Sequence, residues 1–415
     1  MYQLPPGRER GLLWLLALTQ FTIIMDFMVM MPLGPQIMHK FAIGPAAFAT
    51  AVSAYAWCSG LSSLFAATYI DRFDRRKLLL VVYALFALSN LACASAPTFS
   101  MLLIARAFAG LTGGVLSSII MAILGDVIPQ NRRGAATGII MTSFSLAAVA
   151  GVPAGIVLGA KFGWSSPFYL LVVLSLIIWL IGAKLVPTLT GHLAKKPAPL
   201  SRTLPDLINL IREPRHLRAY MLTFIMMTSH MLIIPFISPV IVANLNVAPQ
   251  QLSWIYMAGG AATFFTSRFV GRMADRFGKH NLFRLTAVLS MLPILFITHL
   301  PTLPFMVLVA FFAVFMVLAS SRMIPMQALL TTIPKPAQRG AFLSINSAIQ
   351  SLGTGCGAWI GGMLLATTAN GQIAGYGTNG WLSVGMVVFT LIWVGQVQPA
   401  KEPEQSSIAT KLSVE

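Results

Sequence analysis

The tripeptide Asp-Arg-Phe occurs twice, at Asp71-Arg72-Phe73 and Asp275-Arg276-Phe277, a spacing of 204 residues. The same spacing relates Pro35 to Pro239, Pro45 to Pro249, and Pro97-Thr98 to Pro301-Thr302. One offset held from Pro35 to Thr98 marks an internal duplication. Each tripeptide closes a long apolar stretch and opens a basic loop, so the duplicated unit is a block of membrane helices.

Composition agrees. The chain is 57% hydrophobic and 9% charged, where a soluble domain carries about 25% charged residues. The net charge of +17 sits between apolar spans rather than on amphipathic helices, which points to membrane orientation and away from nucleic acid. Cys58, Cys93 and Cys356 all fall within spans at no metal-ligand spacing and read as small core residues. The first apolar segment lacks a small-residue cleavage site and reads as a retained span.

About 20 apolar residues cross a bilayer as helix. Twelve segments qualify: 11–38, 46–69, 77–96, 98–125, 134–160, 164–186, 218–243, 250–272, 279–299, 302–329, 338–368 and 377–397. The expected fold is an all-α integral membrane protein with twelve transmembrane helices in two pseudo-symmetric six-helix bundles. The bundles are 1–186 and 218–398, with a linker at 187–217 and a tail at 399–415. Within the linker, Leu204–Ile211 has the pattern of a short amphipathic surface helix. Loop Lys and Arg alternate strictly. One side holds Arg8, Arg10, Arg72, Arg75, Arg76, Lys77, Arg132, Arg133, the linker (Lys195, Lys196, Arg202, Arg212, Arg215, Arg218), Arg272, Arg276, Lys279, Lys335, Arg339, Lys401 and Lys411; the other holds Lys40 and Lys161. Both termini and the linker are therefore expected in the cytoplasm.

The loop after the second span reads Ala67-Thr68-Tyr69-Ile70-Asp71-Arg72-Phe73-Asp74-Arg75-Arg76-Lys77, and its repeat reads Gly271-Arg272-Met273-Ala274-Asp275-Arg276-Phe277-Gly278-Lys279. Both resemble the Gly-x-Leu-Ala-Asp-Arg-x-Gly-Arg-Arg/Lys pattern of the major facilitator superfamily, the first with Ala67 and Asp74 in place of glycines. Arg106 followed by Gly110, Gly113 and Gly114 resembles the family's arginine motif of the fourth span. Gly151-Val152-Pro153-Ala154-Gly155-Ile156-Val157-Leu158-Gly159 resembles the glycine-proline motif of its antiporters, in the form seen in drug and sugar efflux permeases. The resemblance implies a non-enzymatic carrier of small molecules driven by protons, working as a monomer in the bacterial inner membrane with no cofactor. It also implies a conformational latch of Asp71, Arg72, Arg75, Asp126, Asp275 and Arg276. In it Arg75 pairs with Asp126, and Asp71 meets the positive end of a helix from the other half. Asp74 adds a negative charge to this latch.

Asp26 is the only acid deep inside a predicted span, about 20 Å along the first helix at 1.5 Å per residue. An ionised carboxylate there costs about 2.5–3.5 kcal/mol. Burial favours the protonated acid and a neighbouring cation favours the carboxylate, so Asp26 reads as a proton carrier or as half of a permanent ion pair. Arg106, at comparable depth, is its expected partner, or a carboxylate-matching fork for an anionic substrate. His230 falls opposite Asp26 under the repeat, as a titrating or a neutral bonding group. Arg322 either meets substrate or snorkels. Asn346 and Gln350 share a helix face that turns to a cavity or a neighbouring helix. Met25, Met28, Met30 and Met31, with Met221, Met226, Met227 and Met231, suit an adaptable apolar pocket or plain packing. The expected proton-coupling set is Asp26, Arg106 and His230; the expected cavity set adds Met30, Arg322, Asn346 and Gln350. Gly151, Gly155 and Gly159, with Gly357 and Gly361, suit close helix packing, and Pro153 adds a bend. No phosphate loop, metal-ligand histidine pair or Gly-x-Ser-x-Gly elbow occurs, and the Gly353–Gly362 run is helical in character rather than a dinucleotide turn. The expected activity is proton-coupled export of small, partly hydrophobic, multidrug-like compounds. A sugar or metabolite carrier of the same fold is the alternative, and lipid handling is a further one.

Overall fold

Proline and glycine set where the helices begin and end. Proline occupies the first turn of α1 (Pro6–Val29), α2 (Gly34–Phe41) and α3 (Pro45–Tyr69), where its missing N–H is unneeded. Next come α4 (Arg75–Ala94), α5 (Phe99–Val127), α6 (Arg133–Leu146), a π-helical turn at Ala147–Gly151, α7 (Val152–Phe162) and α8 (Ser166–Leu185). The second half comprises α9 (Pro214–Met231), α10 (Ile237–Leu245), α11 (Leu252–Phe277), α12 (Lys279–Thr298), α13 (Phe305–Ser321), α14 (Met323–Leu330) and α15 (Arg339–Met363). A hairpin of β1 (Ala366–Thr367) and β2 (Ile373–Ala374), paired Ala366 to Ala374, leads to α16 (Tyr376–Trp393). The computed structural model describes residues 5–129, 132–190, 193, 205, 208–335 and 338–398. Most of the linker, with Lys195, Lys196 and Arg202, and the tail, with Lys401 and Lys411, lie outside the described residues; of the expected surface helix, 208–211 is helical.

By length and composition, nine described segments suffice to cross a membrane, or ten if 34–41 and 45–66, bent by 117°, count together. The sequence count of twelve also takes in α11 and α15, where polar and small residues such as Arg268, Asn346 and Gln350 dilute the apolar run. Three expected spans are not continuous helices. Span 11–38 breaks at Met30–Leu33 and span 218–243 at Leu232–Phe236, around Pro32 and Pro235, because proline denies a hydrogen bond and clashes one turn back. Span 302–329 breaks at Arg322. Expected span 338–368 stops at Met363, and its last residues enter the hairpin.

The duplication is visible in the backbone. Ala42 and Asn246, related by the 204-residue offset, end α2 and α10 in left-handed conformations of φ 52° and 54°. The offset also relates Asp74 to Gly278, and here the copies differ. Gly278 takes φ 84°, which a side chain disfavours. Asp74 takes φ −58° and caps α4, its carboxylate accepting from Arg76 N at 3.0 Å and Leu189 N at 3.2 Å. Asp74 is therefore a helix cap, its carboxylate placed at the start of α4 beside Arg75.

Packing follows the glycines. Ideal Cβ atoms at Gly151, Gly155 and Gly159 would lie 3.3, 2.3 and 2.5 Å from Met25, Val29 and Leu33, so α1 and the segment after it seat three side chains in a notched stripe of α7 and the π-turn. In the second half, Gly353 and Gly357 face backbone oxygens of Phe224 and Thr228 at 2.7 and 2.4 Å, and Gly361 faces Phe236 at 2.8 Å. The π-turn ends two residues before Pro153, whose ring forbids a normal helical bond there; the wider turn absorbs that break.

The two halves meet along α3 and α15 and between α11 and the α7 side. Trp57 lies 6.0 Å from Trp359, and Gly362 sits against Ala49. At the hairpin end α2 touches α10, with Gly34 closed in by Pro239 and Phe48. One apolar cluster, including Met25, Phe48, Phe236 and Phe312, crosses both halves. A second fills the Asp71 end of the first half, whereas a smaller cluster of Val270, Ala274 and Leu282, with Met273 and Ile324 packed against it, lies at the Asp275 end of the second half.

Candidate functional site

Asp26 and Arg106 lie on α1 and α5, both fully buried. Gly110 and Gly114, one and two turns beyond Arg106, let α5 approach α3 so closely that added Cβ atoms would fall 2.2 and 2.3 Å from the carbonyl oxygens of Tyr55 and Ser59. That approach sets Tyr55 beside the guanidinium. Arg106 Nη1 donates to Asp26 Oδ1 at 2.5 Å. Its Cζ lies 4.4 Å from the Tyr55 ring centroid and 5.9 Å from that of Phe168, a cation–π contact that steadies a desolvated charge. Asp26 Oδ2, Arg106 Nε and Arg106 Nη2 are buried without hydrogen-bond partners among the described residues. The pair is charge-neutral but incompletely satisfied.

His230 does not join this pair. Its Nδ1 lies 3.1 Å from Arg322 Nη2, at the break between α13 and α14. Met30 is fully buried core. Five of the eight singled-out methionines, Met25, Met30, Met31, Met226 and Met227, are buried, so most of them pack rather than line open space. Asn346 is buried and accepts from Thr223 Oγ1 at 2.8 Å, joining α9 to α15. Gln350 is half-buried.

Arg75 gathers three acceptors: Ile70 O at 2.6 Å, Asp71 Oδ1 at 2.5 Å and Asp126 Oδ2 at 3.0 Å. The Arg75–Asp126 pairing is present, while Asp71 spends this bond inside its own half. In the other copy Asp275 and Arg276 are exposed, and Arg276 lies over Phe277 at 5.6 Å. The residue matching Asp126 there is Leu330, so the counterpart of the Arg75–Asp126 bridge cannot form in that half. Arg75→Lys is expected to lower unfolding stability by about 1–3 kcal/mol, because an ammonium cannot satisfy all three acceptors. Arg72→Lys, at an exposed position, is the control expected to change little in the same thermal unfolding measurement.

Sequence reasoning missed Tyr55, an aromatic in a helix of small residues that nothing marks as a charge partner. It also missed the Glu9–Arg132 bridge, 2.5 Å between Nη2 and Oε1, which ties the start of α1 to the loop before α6. Asn379 was missed too; it donates to Leu232 O and Gly361 O at 2.9 and 3.0 Å. A polar amide in an apolar span was the available signal for the last.

A duplicated bundle of apolar helices around the buried Asp26–Arg106 pair describes a polytopic membrane protein, and its family makes it a transporter rather than an enzyme. The chain belongs to the Major Facilitator Superfamily, whose pattern matches residues 16–228 and again 219–414. It is similar to a "Probable sugar efflux transporter" of Mannheimia succiniciproducens, 29% identical over 222 residues, which are 54% of each chain. A protein of the same description from Helicobacter pylori is 29% identical over 245 residues, 58% of this chain and 61% of that one. The matched region thus spans little more than half the length of these relatives. The fold is shared with a bacterial homolog of the human lysosomal transporter Spinster in its inward-facing, unoccupied conformation, at TM-score 0.74 and 16% identity over 94% of this chain and 96% of that one.

Proposed function

We propose that this transporter is a proton-coupled antiporter that exports small, partly hydrophobic compounds. Alternating access runs between the bundles 1–186 and 218–398, with 187–217 as their link and both termini cytoplasmic. The observation that carries the reading is the Asp26–Arg106 pair, sealed within the first bundle. One carboxylate oxygen is held by the guanidinium; the other makes no hydrogen bond among the described residues and is where a proton adds. Protonation cancels the carboxylate charge and loosens its hold on Arg106, so the pair has two electrostatic states, and each is matched to one orientation of the bundles. Closure at the hairpin end, through Gly34 and Pro239, corresponds in this reading to the inward-open state of a monomer in the bacterial inner membrane.

Sugar export is the second reading. It is favoured by the description of the two relatives and by the half-buried amide of Gln350. The test uses purified protein in vesicles with an imposed pH difference and an internal pH dye. A panel of apolar amines, aromatic acids and disaccharides is added, one compound at a time. A transported compound should drive proton movement opposite to its own. Transport at an unchanged rate whatever the gradient would overturn antiport, and a response confined to disaccharides would select the sugar reading.

A further inference from the structure

We propose that Arg322 and His230 form a receptor for the anionic group of the transported compound, a carboxylate carried on a small apolar body. The proposal rests on the transport reading and narrows its substrate class.

Arg322 is only 2% exposed and lies about 12 Å along the helix from Leu330. Arg106 has Asp26; Arg322 has no carboxylate within ion-pair distance among the described residues. From 208 to 398 the only acids are Glu213, which lies 3.3 Å from His216, and Asp275, which is exposed at the far end of α11. A guanidinium buried without a counter-charge is costly, and it persists where something intermittently supplies the charge.

The bonding of His230 sharpens this. Arginine has only donors, so His230 Nδ1 must accept the bond from Arg322 Nη2. A neutral imidazole accepting at Nδ1 carries its proton at Nε2. That Nε2–H makes no hydrogen bond among the described residues, and neither does Arg322 Nε–H, which is buried. The pair therefore offers unpaired donors and one positive charge, and His230 is only half-buried, so the site is not sealed as Asp26–Arg106 is. A carboxylate supplies the missing charge and two acceptor oxygens in the planar geometry a guanidinium matches. A free small anion offers the same chemistry, so the test separates the two.

Full-length protein in nanodiscs, with no gradient, is titrated with benzoate, benzamide and acetate while tryptophan fluorescence is followed. Benzoate is expected to bind about tenfold more tightly than its neutral isostere benzamide, since a buried guanidinium left without its counter-charge rejects the uncharged analogue. That preference should vanish in Arg322→Gln and survive in part in Arg322→Lys. Equal binding of benzoate and benzamide by the unmodified protein overturns the proposal without recourse to any variant. So does a benzoate preference unchanged in Arg322→Gln. Acetate binding as tightly as benzoate would assign the pair to a free anion and overturn the substrate role. Because no gradient is applied, none of these results depends on proton coupling.

Discussion

Asp26→Asn is expected to abolish the response of transport to a pH difference and to lower unfolding stability by about 3–5 kcal/mol, the usual cost of orphaning one member of a buried pair. The amide keeps the shape of the carboxylate but takes up no proton, and Arg106 is left with an aromatic face as its main support. The double variant Asp26→Leu with Arg106→Met separates the two effects. Replacing a buried pair as a unit by apolar residues of similar volume is near neutral for stability, so the double variant should regain most of the lost unfolding free energy. It should not regain coupling, because the titrating oxygen is gone. Proteoliposome flux under an imposed gradient and thermal unfolding of the same preparations check both halves. Full gradient-driven flux in Asp26→Asn would remove the carboxylate from the mechanism and leave the ion pair as a helix clamp.

The second large effect is conformational. A Cβ built at Gly362 lies 2.2 Å from Ala49 Cβ and 3.2 Å from Pro45 O, at the hairpin end where α15 of one half meets α3 of the other. Carbon atoms pack at about 3.5–4.0 Å, so Gly362→Leu cannot be accommodated while that end is closed. Overpacking of this kind costs about 1–3 kcal/mol, and each 1.4 kcal/mol moves a two-state ratio about tenfold. The variant should therefore populate a state parted at the hairpin end. Spin labels at Lys40 and Gln372, both exposed and one in each half, report it as a lengthened distance distribution. An unchanged distribution would mean that α3 and α15 yield locally and that this contact does not gate the halves.

The parts of this architecture that the sequence discloses are those the bilayer dictates. Lipid demands long apolar helices, so most of the spans and their repeat can be read directly. The same cost of naked charge makes Asp26 and Arg106 find one another, and that pair was legible for a physical reason. His230 was not. The repeat sets it opposite Asp26, yet its partner is Arg322, because pseudo-symmetry carries backbone over but not side-chain chemistry. Nor could apolar methionines be told apart as lining or filling, since thioethers do both; burial assigns most of them to filling. The broken first helix of each half was foreshadowed by Pro32 and Pro235, but hydropathy averages over such a break. Asp74 resembled a damaged motif glycine, and only its φ of −58° and its two backbone donors show a working cap.

The wide turn at Ala147–Gly151 holds one residue more than a regular helical turn needs. Ala148 O faces Gly260 of the opposite half at 2.8 Å from where a Cβ would be. The surplus residue therefore shapes the face that the first half presents to the second, while Val29 and Leu33 stay keyed into Gly155 and Gly159.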